Sequence, residues 1–304
     1  MIVRKHLDIK VVIKVGWKRV TSLALVSSLV VFAYHHLWLD VSIDTLPASI
    51  LGVAIAFLIG FRVNSAYERW WEARKLWGAI TNDSRSISRQ VLTLFTAPVG
   101  NHSDAQLVHL QRQFIKRQIA FCYALKNTLR KHDALKEITS FVSEEEQNYL
   151  STQKNIPNAI LLLQGKALQE ARQLGYVDEF RMLQIDTRIN ALADSMGGCE
   201  RIKNTVFPRQ YSYYSTLFVK IYSFMLPFLF VNSSGWITVP FTIIIGFIFF
   251  ALDTIAGGIE NPFENTLNDT PMNAICRNIE INLLQMLDEK DIPSPIEAKN
   301  GFLY

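Results

Sequence analysis

Leu46-Pro-Ala-Ser-Ile-Leu-Gly-Val-Ala-Ile-Ala-Phe-Leu-Ile-Gly-Phe61 carries no charge. Arg62-Val-Asn-Ser-Ala-Tyr-Glu-Arg-Trp-Trp-Glu-Ala-Arg-Lys-Leu-Trp77, which follows directly, is sharply polar. No proline interrupts the chain from Pro47 to Gln90, so the stretch reads as one long helix that leaves a bilayer and runs on into water. A spanning helix needs about 20 apolar residues. Val63 and Ala66 extend the run, and Arg62 can reach the interface by snorkelling. Gly52, Ala56 and Gly60 recur at four-residue spacing, a small-residue stripe that lets a neighbouring helix approach closely. Beside it, Val53, Phe57 and Phe61 form an apolar stripe of the same spacing. If several copies surrounded an axis, the small stripe would suit the helix contacts. The larger stripe would then stack into apolar rings, a constriction that gates by dewetting. The same pattern serves bundle core or lipid contact, which is the commoner use of an apolar stripe in a membrane helix.

The composition fits that picture. The chain has 304 residues, enough for a membrane region and one further domain. Charged residues are 19%, below the roughly 25% of soluble proteins, and the apolar residues are clustered. A net charge of +4 makes no case for a nucleic-acid partner. Cys122, Cys199 and Cys276 lie far apart and form no CxxC pair, so neither a zinc knuckle nor a disulfide framework is expected.

Outward from the long helix, Met1–Arg19 is basic and Thr21–Leu39 is apolar, ending in Tyr34-His-His-Leu-Trp38. This reads as an uncleaved first membrane helix with a cytoplasmic N-terminus, by the excess of Lys and Arg on that side. Asp40–Thr45 is a short external loop, and the long helix returns to a basic side at Arg62, Arg69, Arg74 and Lys75. The following segment is helical in period throughout. Ala97-Pro-Val-Gly-Asn-His102 breaks the long helix, Ala105–Lys131 is the next, and Ser143 with Glu146 forms a capping box. Ile156–Leu174 and Asp178–Lys203 are separate helices parted by Gly175. Val206–Val231 and Trp236–Ile255 are the last two apolar runs, and Thr270–Leu287 is a final helix. The expected fold is an all-α membrane protein of four transmembrane helices with a cytosolic helical bundle. Its divisions fall at 1–63 (first two membrane helices), 64–211 (cytosolic domain), 212–258 (last two membrane helices) and 259–304 (cytosolic C-terminal segment). It is expected to be a multi-pass cell-membrane protein with both termini cytoplasmic.

No Walker loop, dinucleotide fingerprint, GxSxG or HExxH is present, and no catalytic constellation emerges, so an enzyme is not expected. Lys220 and Asp253 are ionisable residues near the ends of apolar runs, where a functional site and a simple interface position are both open readings. The loop from Glu260 to Pro271 offers Glu260, Glu264 and Asp269 as hard oxygen ligands for Ca²⁺. Their spacing is not that of an EF-hand, and a plain connecting loop is the commoner use.

Gly60-Phe-Arg-Val-Asn-Ser-Ala-Tyr-Glu-Arg-Trp-Trp-Glu-Ala-Arg-Lys-Leu-Trp77 resembles the signature of the bestrophins. Ile259-Glu-Asn-Pro-Phe263, Asn268-Asp-Thr-Pro271 and Ile275-Cys-Arg-Asn-Ile-Glu-Ile281 resemble that family's post-membrane segment, and Gly198-Cys-Glu-Arg-Ile202 is a third match. The resemblance covers nearly the whole chain, and the length resembles the bacterial branch. It implies a homopentameric ion channel with one axial pore, four spans per subunit and a cytosolic helical bundle. It places Val53, Phe57 and Phe61 at an apolar neck. It also implies a second constriction at the cytosolic exit within Arg181–Ile185, formed by Arg181 or Leu183. Five Arg181 side chains there would favour anions, whereas five Leu183 side chains would be indifferent to charge sign. The chain departs from the eukaryotic pattern in one place. The acidic run that clasps Ca²⁺ is here Glu264-Asn-Thr-Leu-Asn-Asp269, mostly uncharged, and each lost carboxylate weakens a hard-cation site. The expected function is therefore conduction of small inorganic ions, chloride or monovalent cations, with no cofactor required. The alternative is a membrane-anchored helical scaffold without a pore.

Overall fold

A computed structural model of the chain describes residues 9–97, 105–298 and 301–303. The basic positions Arg4 and Lys5 and the helix break at 98–102 lie outside the described residues. Nine α-helices follow in order among the described residues: α1 (Ile9–His36), α2 (Thr45–Leu94), α3 (Ala105–Leu129), α4 (Glu144–Ser151), α5 (Ile156–Gln173), α6 (Glu179–Asn204), α7 (Arg209–Ser234), α8 (Thr238–Ile259) and α9 (Met272–Met286). A single 3₁₀ turn, Gly235–Ile237, separates α7 from α8, and no β-strand occurs among the described residues. The chain divides into two compact units. One comprises Trp71–Thr205 and Pro262–Tyr304, the other Arg4–Trp70 and Val206–Asn261, within the described residues.

The second of these units holds α1, the N-terminal part of α2, α7 and α8. Helix α1 packs on α7 and α8, and these two pack on each other. Leu23, Ala48, Ile55, Ile59, Val219, Tyr222, Leu226, Leu229 and Phe250 form its core. Among the described residues, three helical stretches are long and apolar enough to cross a membrane: Gly16–His36, Thr45–Leu94 and Arg209–Ile259. The last has 51 residues, far longer than the about 20 that one crossing requires. It is a hairpin, turned back at Gly235, whose φ of +51° suits a residue without a Cβ. The turn follows Asn232-Ser-Ser, as the uncharged sequence there predicts, although α7 continues as helix through Ser234.

The other unit is organised around α3, of whose 25 residues 17 are buried. An enclosed helix must satisfy its polar side chains internally, and α3 does. Gln111 Nε2 donates to the Val91 carbonyl at 3.1 Å, and Gln118 Nε2 donates to Ser84 Oγ at 2.8 Å. Tyr123 donates to Glu280 Oε2 at 2.6 Å, Arg117 pairs with Glu146, and Lys126 pairs with Glu137. Around it pack α5, α6 and α9.

Local signals set the helix ends. Ser143 Oγ accepts from Glu146 N at 3.3 Å while Ser143 N donates to Glu146 Oε2 at 2.9 Å, so the expected capping box forms. Gly175 takes a φ of +76° between α5 and α6, the left-handed conformation that ends a helix. The three cysteines are free and buried.

Candidate functional site

Helix α2 has two unlike faces. Its buried seam in the apolar half is Ala48, Gly52, Ile55, Ile59, Arg62 and Ala66. These recur at alternating four- and three-residue intervals, which keeps one line of a helix against its neighbours. At 3.6 residues per turn, Phe57 stands about 180° from Ala48, with Val53 and Phe61 about 40° to either side of it. Burial follows this geometry, with Val53 57%, Phe57 65% and Phe61 65% exposed. The three expected neck residues therefore form a continuous apolar strip directly opposite the seam. No part of the subunit core depends on them.

The small-residue stripe does not act as one surface. Four-residue spacing precesses by about 40° per step, so the stripe winds from the seam to the flank. Gly52 is buried beneath Tyr222, where an added Cβ would lie 2.2 Å from the Tyr222 hydroxyl oxygen. Ala56 is exposed, and Gly60 has nothing within 4 Å of the place its Cβ would take. Of these three, only Gly52 serves close helix approach within the subunit.

Arg62 does not snorkel. It is 4% exposed and turns into the unit. Its Nη1 donates to Asp253 Oδ1 at 2.5 Å and to Thr216 Oγ1 at 3.1 Å, and its Nη2 donates to Glu260 Oε2 at 3.4 Å. Thr216 Oγ1 donates in turn to Asp253 Oδ1 at 2.8 Å, and Ser212 Oγ donates to Glu260 Oε2 at 3.1 Å. Asp253 is thus an inward-facing member of a buried ionic cluster, with α8 continuing beyond it to Ile259. Snorkelling fails here because two carboxylate acceptors lie within reach inside, and both terminal nitrogens form charge-assisted bonds there, although Nε has no partner among the described residues. Lys220, by contrast, is exposed on α7.

Arg181 and Leu183 sit in the first turns of α6, whose N-cap is Asp178. The Asp178 carboxylate accepts from Arg181 N at 2.9 Å and pairs with Arg181 Nε at 3.1 Å. Arg181 Nη1 also donates to the Leu94 carbonyl at the end of α2 at 3.4 Å. Its charge is therefore spent partly on Asp178 and partly on a helix terminus, while Leu183 is exposed and Ile185 is fully buried. Phe180, 84% exposed beside them, escapes the sequence reading because a lone aromatic at a helix start carries no periodic signal.

The oxygen-rich loop does not gather its carboxylates. Glu264 pairs with Lys203 Nζ at 2.7 Å, and Asp269 Oδ1 accepts from Thr266 Oγ1 at 2.5 Å. Glu260 is committed to Arg62 and Ser212. No group of three His, Cys, Asp or Glu side chains is placed to hold a metal among the described residues. These carboxylates do not fit a Ca²⁺ clasp.

The model of the family described as bacterial/fungal bestrophin protein matches residues 6–285. The chain is a bestrophin. A voltage-dependent anion channel-forming protein of Escherichia coli O157:H7 is 37% identical to this bestrophin over 263 residues, 86% of this chain and 83% of that one. A protein of the same description from Ralstonia nicotianae is 32% identical over 274 residues, 90% of this chain and 87% of that one. A crystal structure of a bacterial bestrophin homologue from Klebsiella pneumoniae superposes with a TM-score of 0.82 at 30% identity, covering 90% of this bestrophin and 98% of that chain. Family, fold and apolar helices together make this bestrophin a membrane protein.

Proposed function

We propose that this bestrophin is a channel for small inorganic anions in a bacterial inner membrane. In this reading α1, the apolar half of α2, α7 and α8 cross the bilayer, both termini are cytoplasmic, and five copies surround one axial pore. Val53, Phe57 and Phe61 line its neck, and Leu183, with Arg181 and Phe180 beside it, forms the cytosolic exit. The divisions at 1–63, 64–211, 212–258 and 259–304 are the corresponding membrane and cytosolic segments.

The observation that carries the proposal is the exposure of Val53, Phe57 and Phe61 opposite the buried seam. An apolar strip left out of the subunit core can face lipid, a neighbouring copy or an axis, and this reading takes the axis, as the resemblance to the bestrophins implies. Rings of large apolar side chains make a constriction that holds or loses water with small changes in radius, which is a means of gating. Anions are the favoured carriers because the relatives from Escherichia coli and Ralstonia nicotianae are described as anion channel-forming.

The test is the reversal potential of the purified protein in a planar bilayer under a KCl gradient. Reversal near the chloride equilibrium potential is expected. Reversal near the potassium value overturns the anion assignment, and absence of current after repeated fusion favours the scaffold without a pore.

A further inference from the structure

Arg62 is the one charged side chain in the buried seam of α2 among the described residues. Its seam neighbours are small or aliphatic: Gly52, Ile55 and Ile59 before it, Ala66 and Ala73 after it. Apart from Gly52 beneath Tyr222, a seam of such residues selects only weakly among heights and rotations. A polar group at one seam position removes that degeneracy, as it does in coiled coils. Arg62 is well placed to do so, since its fork meets Thr216 of α7, Asp253 of α8 and Glu260, the C-cap of α8, and Ser212 of α7 holds Glu260 from the other side. Three helices thus converge on one guanidinium.

Burying such a cluster is costly, and well-packed apolar residues of the same volume often give equal or greater stability. What the cluster supplies in addition is a unique geometry. Phe61 precedes Arg62, so a one-residue change in the setting of α2 would swing the exposed strip by about 100°. We propose that Arg62 is a positioning residue for the neck: its bonds to Asp253 and Glu260 fix the rotation of α2 and so turn Val53, Phe57 and Phe61 to the axis. The proposal rests on the reading of those three residues as pore-lining.

The experiment compares single cysteines at Phe57 and at Ile55, in the oligomer in liposomes, by their rate of reaction with a charged methanethiosulfonate reagent. The native cysteines are buried, which keeps the background low. With Arg62 present, Phe57→Cys is expected to react about tenfold or more faster than Ile55→Cys, because one setting of α2 dominates the population. The ratio should fall to about threefold or less when Arg62→Met, Asp253→Leu and Glu260→Met are combined, an exchange that leaves no buried charge unpaired. Arg62→Lys keeps the charge but not the fork, so its ratio should lie between the two, and it decides the matter if the triple variant does not assemble.

An unchanged ratio in the variants overturns the positioning role alone. If Phe57→Cys reacts no faster than Ile55→Cys with Arg62 present, the neck reading falls and the proposal falls with it.

Discussion

Phe61 and Arg62 adjoin in the chain and stand on different sides of α2: the phenyl ring is 65% exposed, whereas the guanidinium is 4% exposed and bound to Asp253 and Glu260. One residue faces whatever surrounds the subunit, and the next holds the subunit together. The same division runs along the apolar half of the helix, and on the proposed reading it separates substitutions that alter conduction from those that alter folding.

Phe57 and Phe61 make no core contacts whose loss would unfold the unit. Phe57→Ala with Phe61→Ala should leave expression and melting temperature near those of the parent and raise single-channel conductance or leak by about threefold or more, since a wider neck stays wet. Unchanged current in planar bilayers would remove these residues from the pore.

Gly52 and Gly60 should respond oppositely. A Cβ at Gly52 would lie 2.2 Å from Tyr222 Oη and 2.7 Å from Cζ, so even Gly52→Ala should destabilise the subunit by about 1–3 kcal/mol through overpacking. Gly60 has open space around it. Gly60→Leu should therefore leave the subunit's own packing intact and weaken assembly instead, which size-exclusion chromatography with light scattering would detect.

Glu146 has two tasks, closing the Ser143 capping box and neutralising the buried Arg117. Glu146→Ala leaves a guanidinium unpaired in the bundle and should cost about 3–5 kcal/mol, against about 1 kcal/mol for Ser143→Ala, which loses only the cap. Chemical denaturation of the two variants measures the difference.

Burial pushes the Cys122 and Cys199 thiols up to about 12 from an ordinary value of 9.0. Burial also raises Cys276, with neighbouring Cys122 adding to the shift. An aqueous thiol reagent at pH 8 should find none of the three in the folded protein and all of them in denaturant. Thiols raised on folding favour the native state fully below the unfolded value and lose that advantage as pH climbs from about 9 towards 12. The denaturation midpoint should accordingly fall between pH 8 and pH 10, and fall less when the three are replaced by alanine.

The helix boundaries were legible where a side chain acts on its own backbone. Ser143 with Glu146, and Gly175 with its left-handed φ, signal α4 and the α5–α6 break from adjacent residues alone. The strip Val53, Phe57 and Phe61 was legible because the seam opposite it is set by the same helical period. The role of Arg62 was not. Its acceptors lie 191 and 198 residues away in sequence, and a single arginine after an apolar run looks the same whether it turns to water or to a buried aspartate. A clue was available in the oppositely charged Asp253 near the end of another apolar run that returns to the same side. Within the subunit the small stripe divides because it starts at the edge of the seam and drifts about 40° per step, so Gly52 meets Tyr222 while Gly60 meets nothing.

Helix α3 bears on how genetic data for this protein should be read. With 17 of its 25 residues enclosed, five of them Gln111, Arg117, Gln118, Lys126 and Asn127, nearly every substitution along it removes either packing or a buried bond. A screen for lost current would collect variants there in abundance, and they would report on protein abundance, not on permeation. At Val53, Phe57 and Phe61 the inference runs the other way. With no core at stake, an altered current at normal protein level speaks to the path of the ion.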